Sequence, residues 1–162
     1  MSFFKRHLPI FVFAILCAIL FGLDILFKYL SFSSSGTIIP GVLEFEGGHY
    51  NTGIAFSFFS GAGIWLTLLV AGLCIGAIVA WWFFGRKSTL ASIGFAFFIA
   101  GGLANLYCRI FHVGVRDFLI FSFWPGHPIF NTADVFLNVG AVILIIFFLI
   151  HALKKDTKKT DA

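Results

Sequence analysis

The chain has 162 residues, of which 60% are apolar and 11% charged, and its mean hydropathy is +1.02. A water-soluble fold of this size cannot bury that much apolar surface, so the composition places the chain in a membrane. The net charge of +4 does not indicate nucleic acid, because Lys5, Arg6, Arg86, Lys87, Lys154, Lys155, Lys158 and Lys159 all flank apolar runs. Basic residues in those places set membrane topology.

In chain order, Lys5 and Arg6 precede a first apolar stretch, residues 8–30. A bilayer-spanning helix needs about 20 such residues. A cleaved signal peptide is the rival reading. The run is long, however, it lacks a small-residue cleavage site, and Leu16 precedes Cys17 where a lipoprotein site wants a small residue. Asp24 and Lys28 lie four apart near its end, acid before base, as an ion pair on one helix face prefers. They read either as a structural pair, with Lys28 snorkelling, or as groups that meet substrate.

The connection 31–60 carries no Lys or Arg. Leu43-Glu44-Phe45-Glu46 alternates as a half-buried strand does, and Gly47-Gly48 reads as a turn. "NTGIAFSFF" follows at 51–59, offering Asn51 and Thr52 as hydrogen-bonding groups and Gly53 for close backbone approach; it also suits a plain turn into the next helix. Residues 61–85 and 88–107 are two further spans, joined by the tight basic turn Arg86-Lys87. Neither span contains an Asp, Glu, Lys or Arg in 61–85 or 88–107. Cys17 and Cys74 sit inside apolar runs as small buried residues. The second connection, 108–134, opens with Cys108 and Arg109 from "GGLANLYCRI" and includes Arg116 and Asp117. Val113, Val115 and Phe118 there suit short β structure. "FNTADVFLNVG" at 130–140 leads into the last span, 135–153. Thr132 or Asp134 can cap that helix. Alternatively, Asp134 is a half-desolvated carboxyl able to exchange a proton near neutral pH. The polar tail 154–162 is expected to fray.

With four spans, all three basic clusters fall on the cytoplasmic side, and both termini with them. The expected fold is an all-α membrane bundle of four transmembrane helices with a small extracytoplasmic β platform. Residues 1–162 form a single membrane domain.

Three motifs now read together. They are Asn51-Thr52-Gly53 through Ser57, Gly101-Gly102 through Asn105 and Arg109, and Phe130-Asn131 through Ala133-Asp134. With Asp24, Lys28, Val115 and Asp117, the chain resembles the prolipoprotein (type II) signal peptidases from about Asp24 to Gly140. The resemblance implies cleavage of lipoprotein signal peptides before a diacylglyceryl-modified cysteine, at the outer surface of the bacterial inner membrane. The implied catalysts are two aspartates sharing a proton, with no metal or other cofactor. The implied partners are lipidated prolipoprotein signal peptides, membrane lipid and globomycin-type inhibitors, and no nucleic acid.

On this resemblance Asp134 is one catalytic aspartate, and Cys108 stands at the position of the other. Ala104 replaces a family glycine. Asn51, Gly53, Asn105, Arg109, Asn131, Asp24, Lys28 and Asp117 are supporting or substrate-binding residues. A thiol titrates near ~8.5 against ~3.9 for aspartate and cannot share a proton with Asp134 as a carboxyl does. The expectation is therefore impaired cleavage, or a non-cleaving homologue that binds lipidated signal peptides. Other readings keep Cys108 active, as a nucleophile with His112 or His127 as base, or as a zinc ligand with His112, His127 and Asp134. Asp117 is a third possible replacement.

Overall fold

The computed structural model describes residues 3–52, 63–112 and 114–160. Helix α1 spans Phe3–Leu30 and runs through a short 3-10 turn, Ser31–Ser33, into strands β1, Ser35–Ile39, and β2, Leu43–Asn51. Helix α2, Gly63–Ala80, continues as a wider helical turn at Trp81–Gly85. Helix α3 covers Thr89–Phe111, β3 covers Val115–Phe121, β4 is Ile129–Phe130, and α4 runs from Thr132 to Thr160. Four helical segments are long and apolar enough to cross a membrane.

Helix α3 is the axis of the bundle and packs against α1, α2 and α4. Of its span, 61% is buried, against 11%, 11% and 6% for the other three. Those three turn most of their surface outward, as helices in lipid do. The approach of α4 to α3 depends on missing side chains. A Cβ on Gly140 would lie 2.5 Å from the Phe98 amide nitrogen, and one on Gly101 would lie 2.4 Å from the Ala133 carbonyl oxygen. Small residues let helix backbones come this close where lipid supplies no hydrophobic drive. At the end carrying the Arg86-Lys87 turn, Trp81 stacks on Phe13 with ring centroids 3.8 Å apart. Its indole Nε1–H donates to Ser92 Oγ at 3.1 Å, and Ser92 Oγ donates onward to the Gly85 carbonyl.

The four strands form one antiparallel sheet in the order β1-β2-β3-β4 at the other end of the bundle. Several sequence expectations are corrected here. Gly47-Gly48 is not a turn but lies inside β2, where the register with β3 shifts between Phe45 and His49. A Cβ on Gly47 would fall 1.7 Å from the Ser31 carbonyl oxygen, so only glycine lets the strand pass the 3-10 turn. β1 was not anticipated, because Ser35–Ile39 has no polar–apolar alternation and is exposed throughout. α3 runs four residues past 107 to Phe111, which places Cys108 and Arg109 on the helix rather than in a connection. α4 begins at Thr132, three residues early, and stays helical through the polar segment to Thr160. Once a helix is nucleated each further residue adds a hydrogen bond, so polar lysines extend it readily.

Candidate active site

Where the sheet meets the bundle, a cavity of about 520 Å³ opens between α2, α3, α4 and the strands. Leu66, Val70, Leu73 and Cys74 of α2, with Phe98 and Leu137, form its apolar end. Asn51, Asn105, Arg109, Asp117 and Asp134 form its polar end. A separate groove of about 590 Å³, lined by Ile93 and apolar residues of α1 from Leu8 to Ile19, contains no polar side chain and carries no chemistry.

Local structure dictates the polar end. Asn131 immediately precedes α4, and its Oδ1 accepts from the Asp134 amide at 3.1 Å. The Asn131 amide donates back to Asp134 Oδ2 at 3.1 Å. This is a reciprocal capping box, with an acid on the third helical position. The expected cap, Thr132 or Asp134, is thus corrected to Asn131, with Asp134 as its return partner. Because Asn131 Oδ1 is engaged, its Nδ2 points away and donates to Asp117 Oδ1 at 2.6 Å. Asn51 Nδ2 donates to Asp117 Oδ2 at 3.0 Å. One asparagine therefore joins two carboxylates, one from β3 and one from α4.

A second line of contacts arrives from α1. Asp24 is fully buried and pairs with Lys28 at 2.7 Å. Its Oδ1 accepts from the Ala133 amide at 2.7 Å and from the Thr132 hydroxyl, so an anion sits on the first turn of α4. Lys28 Nζ donates to Asn105 Oδ1 at 2.8 Å, and Asn105 Nδ2 donates to Asp134 Oδ1 at 2.8 Å. An ammonium has only donors, so Lys28 fixes which way the Asn105 amide faces. Arg109, one helical turn beyond Asn105, interacts electrostatically with both Asp117 and Asp134. Burial pushes the Asp117 carboxyl above its usual range. The Asn51 and Asn131 hydrogen bonds and the charges of Lys28 and Arg109 oppose that rise.

The comparisons with known proteins bear on this geometry. The sequence profile of signal peptidase (SPase) II matches residues 16–150. The chain belongs to the signal peptidase II family. A lipoprotein signal peptidase of Gloeothece citriformis is 38% identical over 133 residues, covering 77% of this chain and 81% of that protein. One from Neisseria meningitidis serogroup C is 38% identical over 120 residues, 68% of this chain and 69% of the relative. One from Clostridium novyi is 36% identical, over 72% of this chain and 81% of its own. A bacterial membrane enzyme solved by the in meso method at 2.3 Å resolution superposes with a TM-score of 0.75 at 25% identity, over 91% of this chain and 90% of the other. A second one, solved at 1.9 Å resolution, has a TM-score of 0.74 at 24% identity and bears on the fold alone.

Within this family member the structure brings Asn51, Asn105, Arg109, Asn131, Asp117 and Asp134 together, with Asp24 and Lys28 behind them. Gly53 lies outside the described residues, as do Ala55, Phe56 and Ser57. Cys108 is buried, at 2% exposure, but it does not line the cavity. A helix turns about 100° per residue, so the extension of α3 past 107 puts Arg109 on the cavity face and carries Cys108 off it. Among the described residues no three His, Cys, Asp or Glu side chains converge as metal ligands, so Cys108, His112, His127 and Asp134 do not form the zinc set considered from the sequence. The carboxylate beside Asp134 is Asp117, which the sequence reading held only as a supporting residue and a possible replacement. The missed signal was β3 itself: Val115 and Asp117 share a strand face, and both line the cavity.

Proposed function

We propose that this protein is a cleaving lipoprotein signal peptidase of the bacterial inner membrane, with Asp117 and Asp134 as its aspartic dyad. It removes signal peptides from diacylglyceryl-modified prolipoproteins. The observation that carries the reading is the bridge of Asn131 between those two carboxylates at the mouth of a cavity with an apolar floor. This replaces the expectation of a dyad broken at Cys108. Cys108 is then a small core residue, and the non-cleaving reading loses its motive.

In the mechanism, two adjacent carboxyls that cannot both ionise hold one proton between them. Asp117 of β3, held by Asn51 and Asn131, is assigned the part of the acid. Asp134, which accepts from Asn105 and from the Asn131 amide, supplies the carboxylate. The carboxylate takes a proton from water as the water oxygen attacks the scissile carbonyl carbon. The acid donates to the carbonyl oxygen. On collapse of the resulting gem-diol the C–N bond breaks, one hydroxyl proton returns to Asp117 as the C=O re-forms, and the leaving nitrogen takes the proton held by Asp134, which restores both groups. Arg109 offsets the negative charge of the site. The apolar end of the cavity suits the hydrophobic part of a signal peptide and its lipid. Basic clusters at Lys5-Arg6, Arg86-Lys87 and beyond Lys154 support an orientation with both termini in the cytoplasm and the sheet outside.

The test is cleavage of a lipidated prolipoprotein by purified protein in bilayers, with globomycin binding as the check on folding. The unaltered chain and Cys108→Ala are expected to cleave at comparable rates. A folded, globomycin-binding chain without turnover would establish the non-cleaving reading instead. Loss of activity on alkylation of Cys108 would restore the thiol to the site.

A further inference from the structure

Each of the first three helices presents exposed aromatic rings at the end that carries the sheet: Tyr29 on α1, Trp65 on α2, and Tyr107 and Phe111 on α3. Aromatic residues gather at membrane–water interfaces because one part of the ring is apolar and another tolerates water. α4 breaks the pattern, since it opens with Thr132, Ala133 and Asp134. The strongly exposed rings of the segment leading to it lie in the turn between β3 and β4, where Phe123 is 55% and Trp124 56% exposed.

That turn has a built shape. The Phe121 amide donates to the Pro128 carbonyl at 3.2 Å, the Trp124 amide to Phe121 at 3.3 Å, and the His127 amide to Trp124 at 3.0 Å. Gly126 and His127 both take positive φ, 85° and 44°, which folds the chain back and leaves the two rings outward. The Ser122 amide donates to the Val42 carbonyl at 3.0 Å, binding this turn to the β1–β2 turn, where Ile38, Ile39 and Val42 are also exposed. The apolar edge is therefore continuous across two turns. Its chemistry is uncharged as well: residues 29–43 and 118–133 contain no Asp, Glu, Lys or Arg. A contiguous apolar edge of this kind marks a surface that is covered.

We propose that the two turns form a membrane-interface anchor, in which Phe123 and Trp124 enter the headgroup–acyl boundary of the leaflet beside the sheet and Ile39 and Val42 rest on it. The occupant is the bilayer itself, because the edge is apolar and free of Asp, Glu, Lys and Arg across both turns, and it belongs to the sheet at the end of the bundle where the other helices expose their rings. The anchor holds the sheet down: Phe121, Pro128, Ile129 and Phe130, which flank the turn, line the cavity. The entrance to the cavity is thereby kept at lipid level.

The experiment is site-directed spin labelling of the full chain in lipid nanodiscs, with Cys17, Cys74 and Cys108 replaced by Ala. Labels are placed singly by Phe123→Cys, Ile39→Cys and Thr37→Cys. Thr37 pairs with Glu44 on the charged face of the sheet and serves as the water-facing reference. The ratio of collision with oxygen to collision with a water-soluble nickel chelate is expected to be higher at 123 and 39 than at 37. Circular dichroism on the same samples confirms that each labelled chain is helical. A ratio at 123 no higher than at 37 overturns the proposal. The readout needs no turnover, so it stands or falls separately from the proposed peptidase activity.

Discussion

The two ends of α3 handle buried polar groups in different ways. Toward the Arg86-Lys87 turn, the Trp81 indole donates to Ser92, and Ser92 donates to the Gly85 carbonyl, where the chain of bonds stops. Donor and acceptor are matched and nothing faces a cavity. At the other end, Lys28, Asn105 and Asn131 pass hydrogen bonds toward two carboxylates that do face one. The first arrangement closes a polar chain to hold helices together. The second uses the same kinds of bond to aim acceptors at a space. A membrane bundle tolerates buried polar residues in either case, because each is satisfied, but only the open-ended arrangement can do chemistry.

The sharpest way to break this comparison is to neutralise one carboxylate. Asp134→Asn and Asp117→Asn are each expected to lower prolipoprotein cleavage by ~10²–10⁴-fold, measured as initial rate, while Ser92→Ala leaves the rate near that of the unaltered chain. Turnover by Asp117→Asn comparable to the parent would mean that the dyad is wrongly assigned. Next comes the support from α1. Lys28→Met leaves Asp24 buried without its cation, and breaking such a pair costs about 3–5 kcal/mol. Thermal unfolding in detergent should report it, and the rate should fall as well because the Asn105 amide is no longer held one way round.

A subtler effect concerns pH. Burial raises the Asp117 carboxyl above its ordinary 3.8, so it keeps its proton where a free aspartate has lost it and gives it up as pH rises through the shifted value. Cleavage that uses this proton declines in the same direction. The Asn51 amide favours the ionised form, so Asn51→Ala should move the alkaline limb of kcat/KM to higher pH. A limb that stays put or moves down would separate Asp117 from that step. The smallest effect on cleavage belongs to the closed end: Trp81→Phe removes one hydrogen bond, worth about 1 kcal/mol, together with packed ring volume, and should lower the unfolding temperature with no change in cleavage.

The four spans were legible because length and apolarity alone define them, and the family because its motifs recur in order. The groups that meet at the cavity were largely legible too, since Asn105 and Arg109 lie one turn apart on a helix and Asn131 and Asp134 form a recognisable helix start. The second carboxylate of the proposed dyad was not. Cys108 sits between two polar residues in sequence, and only the continuation of α3 to Phe111 shows that neighbours in sequence face different ways. Asp117 depends on strand pairing: β3 lies against β2, with Asn51 opposite Val115, and that long-range register brings the Asn51 side chain to Asp117. No local pattern encodes it. The glycine pair at 47 and 48 misled for a related reason, since the need for glycine there comes from Ser31, sixteen residues earlier by number.

The fixed orientation of Asn105 has one more consequence, for the ion tightness of the membrane. A carboxyl pair that loads and unloads protons beside a bilayer is a hazard if a conducting path leads from it into the span. Asn105 stands between Asp134 and the Lys28–Asp24 pair. An amide N–H₂ does not pass a proton along as a hydroxyl or imidazole does, and its oxygen is occupied by an ammonium. Asn105 thus interrupts the direct line of proton-carrying groups between Asp134 and Lys28. On the proposed dyad, protons are expected to exchange through the cavity that both carboxylates line, and not by way of the Asn105 amide.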